Sequence, residues 1–234
     1  MSLSTPKFIY FDLDDTLLDH KKAEHAGLSD IFTQFDLFNG IGIEALSATY
    51  HYINKGLWDE YGRGEIDRVT LQRRRFEGTF QKLGLDDTLY QEIGDAYMSH
   101  YQKHWEWIKD AKIAYHKIAL NYNVGILTNG FAETQWKKIE QFDLKNTAKE
   151  IVISEEFGVL KPNRQIFEHS AELAGVEPSE ILYVGDSLTS DVEGGSNAGW
   201  QVAWFTEQPS AEGAKRSSLV FNEFSQLLSA LDLE

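Results

Sequence analysis

The run FDLDDTLLD, from Phe11 to Asp19, comes directly behind the apolar stretch Phe8-Ile9-Tyr10. A short apolar stretch bounded in this way reads as a buried strand whose C-terminal end opens into a polar loop. Open α/β sheets bind their ligands at that end of their strands. Asp12 and Asp14 alternate around Leu13, followed by Thr16 and the pair Leu17-Leu18. Two carboxylates this close repel each other in an apolar setting unless a cation or a shared proton relieves them. A divalent metal is the natural reliever, and it leaves one carboxylate free to react. Taken alone, the run also suits a helix N-cap or a turn, since Asp and Thr favour both.

Three further segments narrow the choice. Val124-Gly125-Ile126-Leu127-Thr128 is an apolar strand that ends in Thr128-Asn129-Gly130. The hydroxyl, the amide and the glycine-freed backbone there form a ready anion cradle. Gly158 to Pro162 holds Lys161 just before a proline that suits the first turn of the next helix. Ile181 to Val184 is a third strand, running through Gly185 into Asp186, with Asp191 five residues on. Each segment has an ordinary reading as a turn, a solvated lysine or a helix cap. Their order and their common place at strand ends make the joint coincidence improbable.

Between the first strand and about Ile108 the periodicity is helical. Leu28, Ile31, Phe32 and Phe35 fall on one helix face, as do Leu46, Tyr50, Ile53 and Leu57. Phe76, Phe80 and Leu83, then Leu89, Ile93 and Tyr97, continue the pattern, which predicts about four packed helices. Beyond it, strands at Val124–Thr128, Ile151–Ser154, Ile181–Val184 and Gln201–Phe205 alternate with helices. That alternation predicts a parallel, Rossmann-like α/β sheet with a helical bundle inserted after its first strand. The expected division is residues 1–18 with 108–234 for the core and 19–107 for the insert. Gln208 to Ser218 reads as the most flexible loop.

With 234 residues, 42% of them hydrophobic, the chain can bury a substantial core. It has no cysteine, so disulfide and thiol chemistry are excluded. No apolar stretch reaches the ~18 residues of a membrane span, and no signal peptide precedes the first strand; a cytoplasmic location is the expectation. The 22 basic and 37 acidic side chains leave a net charge of −15, which argues against nucleic-acid polymers as partners. It does not oppose a small anionic ligand, because a metal and Lys161 would set the local field.

On the four motifs together the chain resembles the haloacid dehalogenase (HAD) superfamily, from Phe8 to about Phe205. The resemblance implies that Asp12 is the nucleophile and that Asp14 is the general acid and base, its backbone carbonyl binding the metal. It implies that Thr128 holds the transferring phosphoryl group and that Lys161 neutralises nucleophile and phosphate. Asp186 is then a Mg²⁺ ligand, and Asp191 a ligand or an outer-shell group. Asp14 points to phosphoryl transfer, since superfamily members that release a halide need no proton donor there. A Schiff-base lysine for phosphonate chemistry has only Lys55 as a candidate, and an exposed lysine there is the commoner case. The inserted helices resemble the C1 cap of this superfamily.

The segment from Lys55 to Phe76, with TNGF (Thr128 to Phe131) and ISEEFGVLKPN (Ile153 to Asn163), looks closest to the pyrimidine 5′-nucleotidase subgroup. That likeness implies a nucleoside monophosphate as substrate, with Asn129 and Gly130 on its phosphate and Trp58 and Tyr61 on its base. Packing of Trp58 and Tyr61 within the bundle is the alternative. A sugar-phosphate phosphatase, a broad-specificity scavenger and a catalytically idle binding domain of the same fold are the rival functions. His100 and His104, four apart on a helix, lack the intervening glutamate of a zinc motif and read as solvated helix residues.

Overall fold

The first strand, β1 (Phe8–Phe11), is buried at all four positions. It pairs in parallel with β2 (Asn123–Thr128) on one side and β4 (Ile181–Gly185) on the other. β3 (Glu150–Ile153) extends the sheet beyond β2, and β5 (Gln201–Phe205) and β6 (Leu219–Phe221) extend it beyond β4. The order is β3-β2-β1-β4-β5-β6, with every pairing parallel. The chain therefore leaves β1 in one direction and returns for β4 on its other flank. Such a reversal opens a crevice outside the carboxyl ends of the two strands. The computed structural model describes residues 3–233.

The strand interiors are apolar because both faces of the sheet are covered. Ile9, Phe11, Val124, Ile126, Leu182 and Val184 point into one core layer, and Phe8, Tyr10, Leu127, Ile181 and Tyr183 into the other. This is the two-residue period of a strand read from both sides. Helix α5 (Ala111–Ala119) packs on the first face through Ala114, Tyr115 and Ile118. Tyr10 shows how tightly the second face is built. Its ring stacks on Trp200 at 5.4 Å, and its hydroxyl donates to the Ser170 carbonyl at 2.8 Å. A Cβ on its neighbour Gly125 would lie 2.4 Å from that ring, so β2 needs glycine there.

The remaining helices of this unit are α6 (Ala132–Gln141), α7 (Ser154–Phe157), α8 (Arg164–Ala174), α9 (Gly194–Asn197), α10 (Ala211–Arg216) and α11 (Phe224–Ala230). Two local expectations are corrected. The stretch 208–218 is not a loop: Ser210 accepts from the Gly213 amide at 3.1 Å and starts α10. Gly213 is drawn against the Trp204 ring, and a Cβ there would lie 2.4 Å from it. Pro162 does not open the next helix either. Asn163 caps α8 by accepting from the Gln165 amide at 2.9 Å, leaving the proline ahead of the cap.

The chain divides into two compact units, one running to Asp19 and resuming at Trp107, the other being His20–Glu106. The second is all helical: α1 (His20–Gln34), α2 (Ile43–Gly62), α3 (Arg68–Leu83) and α4 (Tyr90–Tyr101). Tyr50, Phe76 and Tyr97 form its aromatic centre, with ring separations of 5.2 and 5.3 Å. His100 and His104 both face Asp30, at 3.2 and 2.7 Å. Among the described residues no helix is long and apolar enough to cross a membrane.

Candidate active site

All the sequence-predicted residues of the α/β unit converge on the carboxyl ends of β1, β2 and β4. The Asp12 amide still belongs to the sheet, donating to the Val184 carbonyl at 2.9 Å. Beyond it the chain doubles back: Leu17 and Leu18 both donate to the Leu13 carbonyl, and Asp15 donates to Leu18 at 2.7 Å. Asp15 takes the left-handed backbone (φ 59°) that this tight loop requires and that aspartate tolerates.

Lys161 is the hub. It is 3% exposed, and its ammonium reaches Asp12 Oδ1 at 2.9 Å, Asp191 Oδ1 at 2.8 Å and the Tyr183 hydroxyl at 2.6 Å. An ammonium has three protons, so this set uses them all. The Tyr183 hydroxyl in turn donates a hydrogen bond to the Leu127 carbonyl at 2.8 Å. Asp191 has no exposure, and its Oδ2 accepts from the Ser187 amide at 2.9 Å. It sits on a π-helical turn, Leu188–Glu193, a rare form concentrated at functional sites.

Oxygens of Asp12, Asp186 and Asp191 all lie within 4.8 Å of one another, the one such group of potential ligands among the described residues. Lys161 sets its ammonium against two of these carboxylates, Asp12 and Asp191. Three carboxylate oxygens gathered this closely are the hard donors that a divalent cation takes, so the donor set fits Mg²⁺. The electrostatics agree. Burial pushes the Asp12 carboxyl up to about 7, with Lys161 opposing and Asp191 and Asp14 adding to the rise. Burial also works against the charged lysine, yet Asp12 and Asp191 outweigh it and hold Lys161 above its usual range.

The Asp14 side chain takes a different course. Its carboxylate is gripped by Lys138 at 2.6 Å and by the Gln135 amide at 3.1 Å. Gln135 also donates to the Thr128 hydroxyl at 2.8 Å, and Thr128 is fully buried. The side chain of Asn129, expected on the substrate phosphate, binds the backbone of Lys161 in both directions: Nδ2 donates to the carbonyl at 3.0 Å, and Oδ1 accepts from the amide at 2.8 Å. It ties the loop after β2 to the lysine loop. Gly130 adopts φ 147° and donates to Ser154 Oγ at 3.2 Å. Phe131, the last residue of the TNGF segment, is buried.

Trp58 and Tyr61 belong to α2 of the helical unit. Both are half-buried, and their rings meet edge to face, 5.6 Å apart and 85° inclined. Gln135, Lys138 and Tyr183 were not among the residues singled out from the sequence. The one available signal was the spacing Gln135-x-x-Lys138 directly after Thr128-Asn129-Gly130, which sets both side chains on one helix face.

Gly185 supplies a test of how closely the cluster is built. A Cβ there would lie 2.5 Å from Asp191 Oδ2, so Gly185→Ala must displace that carboxylate. Overpacking of this kind costs roughly 1–3 kcal/mol. Thermal melts of G185A should show a Tm lowered by about 2–4 °C for each kcal/mol. They should also show a smaller upward shift on adding Mg²⁺ than wild type. An unchanged Mg²⁺ response would remove Asp191 from the cation's environment.

The likenesses to known proteins fit this geometry. Residues 6–199 match the haloacid dehalogenase-like hydrolase family. The chain is 32% identical over 227 residues to the pyrimidine 5′-nucleotidase YjjG of Escherichia coli, covering 94% of this chain and 97% of that protein. It is 30% identical over 205 residues to a glyceraldehyde 3-phosphate phosphatase of Methanopyrus kandleri, covering 82% and 81%. The crystal structure of the HAD-hydrolase YfnB of Bacillus subtilis, bound to magnesium, superposes with a TM-score of 0.81 at 26% identity, covering 98% of this chain and all of that one. With its strand order, its strand-end carboxylates and this match, the chain belongs to the haloacid dehalogenase-like hydrolase family.

Proposed function

We propose that this chain is a Mg²⁺-dependent phosphomonoesterase that works through an aspartyl phosphate and prefers pyrimidine nucleoside 5′-monophosphates. The observation that carries the chemistry is the Asp12 carboxylate at 2.9 Å from the buried Lys161, with Asp14 two residues on. An Asp12 oxygen attacks phosphorus and the bond to the ester oxygen breaks, while Asp14 gives the leaving alcohol its proton. Water then attacks the phosphorus of the aspartyl phosphate, with Asp14 taking its proton, and inorganic phosphate leaves. Splitting hydrolysis in this way replaces one difficult displacement by two easier ones. Proton transfer by a positioned carboxyl group is worth about 10²–10⁴-fold.

Asp12, Asp186, Asp191 and the main-chain carbonyl of Asp14 would hold Mg²⁺. Bound there, it supplies the positive charge that lets an anionic ester approach an anionic nucleophile. Chelation should abolish turnover and Mg²⁺ should restore it. Ca²⁺, with its looser coordination, should restore it poorly. Full activity in excess chelator would overturn the metal's part.

The nucleotide preference rests on the likeness to a pyrimidine 5′-nucleotidase along nearly the whole chain. In this reading the helical unit is the cap that selects the leaving group, and Trp58 and Tyr61 meet the base. The experiment is phosphate release with Mg²⁺ across nucleoside 5′-monophosphates and sugar phosphates. A ten-fold or greater kcat/KM preference for pyrimidine monophosphates, about 1.4 kcal/mol, is expected. A panel led by a sugar phosphate would favour the second reading, which the glyceraldehyde 3-phosphate phosphatase relative supports.

A further inference from the structure

The attack by Asp12 and the binding of a cation have no evident need of Lys138 or Gln135. Both are 1% exposed, and they sit three residues apart on one face of α6. A buried ammonium costs several kcal/mol unless it is paired, and an apolar side chain of similar volume fills space without that cost. Lys138 is therefore a poor choice for packing alone. Its ammonium lies 2.6 Å from Asp14 Oδ1, while Gln135 Nε2 lies 3.1 Å from Asp14 Oδ2. One helix face thus holds both oxygens of a single carboxylate.

The exposures are ordered in a telling way. The Asp14 side chain is 24% exposed and that of Lys138 only 2%. The carboxylate keeps part of its surface open, whereas the ammonium paired with it is almost wholly buried. Gln135 also bonds the Thr128 hydroxyl at 2.8 Å and lies 3.3 Å from the Asn129 carbonyl. The missing side chain of Gly130 makes room for it, since a Cβ there would come within 2.9 Å of the Gln135 carboxamide carbon. The same amide therefore links Asp14 to the loop expected to hold the phosphoryl group.

We propose that Lys138 and Gln135 are positioning residues that set the proton-transfer geometry of Asp14 and lock it in register with the Thr128 loop. The proposal rests on the reading of Asp14 as acid and base. A carboxyl group displaced by about 1 Å can lose on the order of 10²-fold in rate.

The test uses two substrates that differ in their need for a proton. An alkyl phosphomonoester, the best of the panel above, must protonate its leaving oxygen, whereas 4-nitrophenyl phosphate releases a stable phenolate unaided. kcat/KM reports the steps up to that departure. Lys138→Met should lower kcat/KM at least ten-fold further on the alkyl ester than on the aryl ester, and Lys138→Arg should recover part of the difference. In an Asp14→Asn background the Lys138→Met loss should shrink to under about two-fold, because a residue that acts through another loses its effect with it. Equal losses on both esters, or a loss undiminished in the Asp14→Asn background, would overturn the proposal. If Lys138→Met does not fold, Gln135→Met is read by the same criteria. A wild-type protein that releases no phosphate, or an Asp12→Asn variant as active as wild type, would remove the phosphatase reading as well. Normal wild-type activity, loss in Asp12→Asn and equal losses in Lys138→Met would remove this proposal alone.

Discussion

Asp12→Asn is expected to lower phosphate release by at least ~10⁴-fold, about 5 kcal/mol of transition-state stabilisation, while the fold is kept. An amide has the shape of the carboxylate but no charge to attack phosphorus, so the covalent step is lost and not merely slowed by misplacement. The same substitution should make the metal-free protein more stable near neutrality. Asp12 is raised from 3.8 to about 7 in the folded chain, so folding favours its protonated form. That contribution is complete below pH ~4 and lost as the pH rises through about 7, where ionising the buried group costs on the order of a few kcal/mol. Melting curves in chelator should therefore place Asp12→Asn above wild type at pH 8, with the gap closing towards pH 5. A phosphate release rate equal to wild type would remove Asp12 as nucleophile. A gap independent of pH would mean that Asp12 does not titrate in this range.

The residues legible from the sequence are those whose signal is local. β1, β2, β4 and β5 are unbroken apolar runs because both sheet faces are buried, and each of the first three stops at a polar residue that enters the site. Asp12, Thr128, Lys161 and Asp186 could be read because the polar residue directly ends a strand or sits in a short Gly–Pro bracket, and Asp191 from its place five residues beyond Asp186. β6 was not visible: three residues, Leu219–Phe221, carry too little periodicity. α10 was hidden because its six residues, Ala211–Arg216, lie among Pro, Ser and Gly and carry too little apolar periodicity, although Ser210 caps it. Lys138 and Gln135 were hidden for a different reason. In sequence, α6 is a polar amphipathic helix whose lysines read as solvated. Only the placement of β2 beside β1 turns one of its faces onto Asp14. Tyr183 was similarly concealed, since a tyrosine in an apolar strand reads as core until Lys161 is seen against its hydroxyl.

Lys161→Met should destabilise the metal-free protein by about 3–5 kcal/mol, the usual result of removing one partner from a buried ionic network. Tm should fall by roughly 6–20 °C for a chain of this size. The loss is large because the ammonium serves Asp12, Asp191 and the Tyr183 hydroxyl together, and Asp191 has no water to turn to. At the proposed site Mg²⁺ would bind the folded state alone, and it should then narrow the deficit by mass action. kcat/KM should still fall ~10²–10³-fold, since the cation no longer meets the charge that develops on the transferring group. Lys161→Arg should rescue neither quantity, because a planar guanidinium cannot occupy the space that three close oxygens leave for a compact ammonium. Thermal melts in chelator and in Mg²⁺, paired with kinetics on one phosphomonoester, separate the two effects. If Lys161→Met melts within about 2 °C of wild type in chelator, the carboxylates hold a shared proton and the ammonium is not what keeps them together. The lysine would then act on the substrate alone, and the loss in kcat/KM would remain.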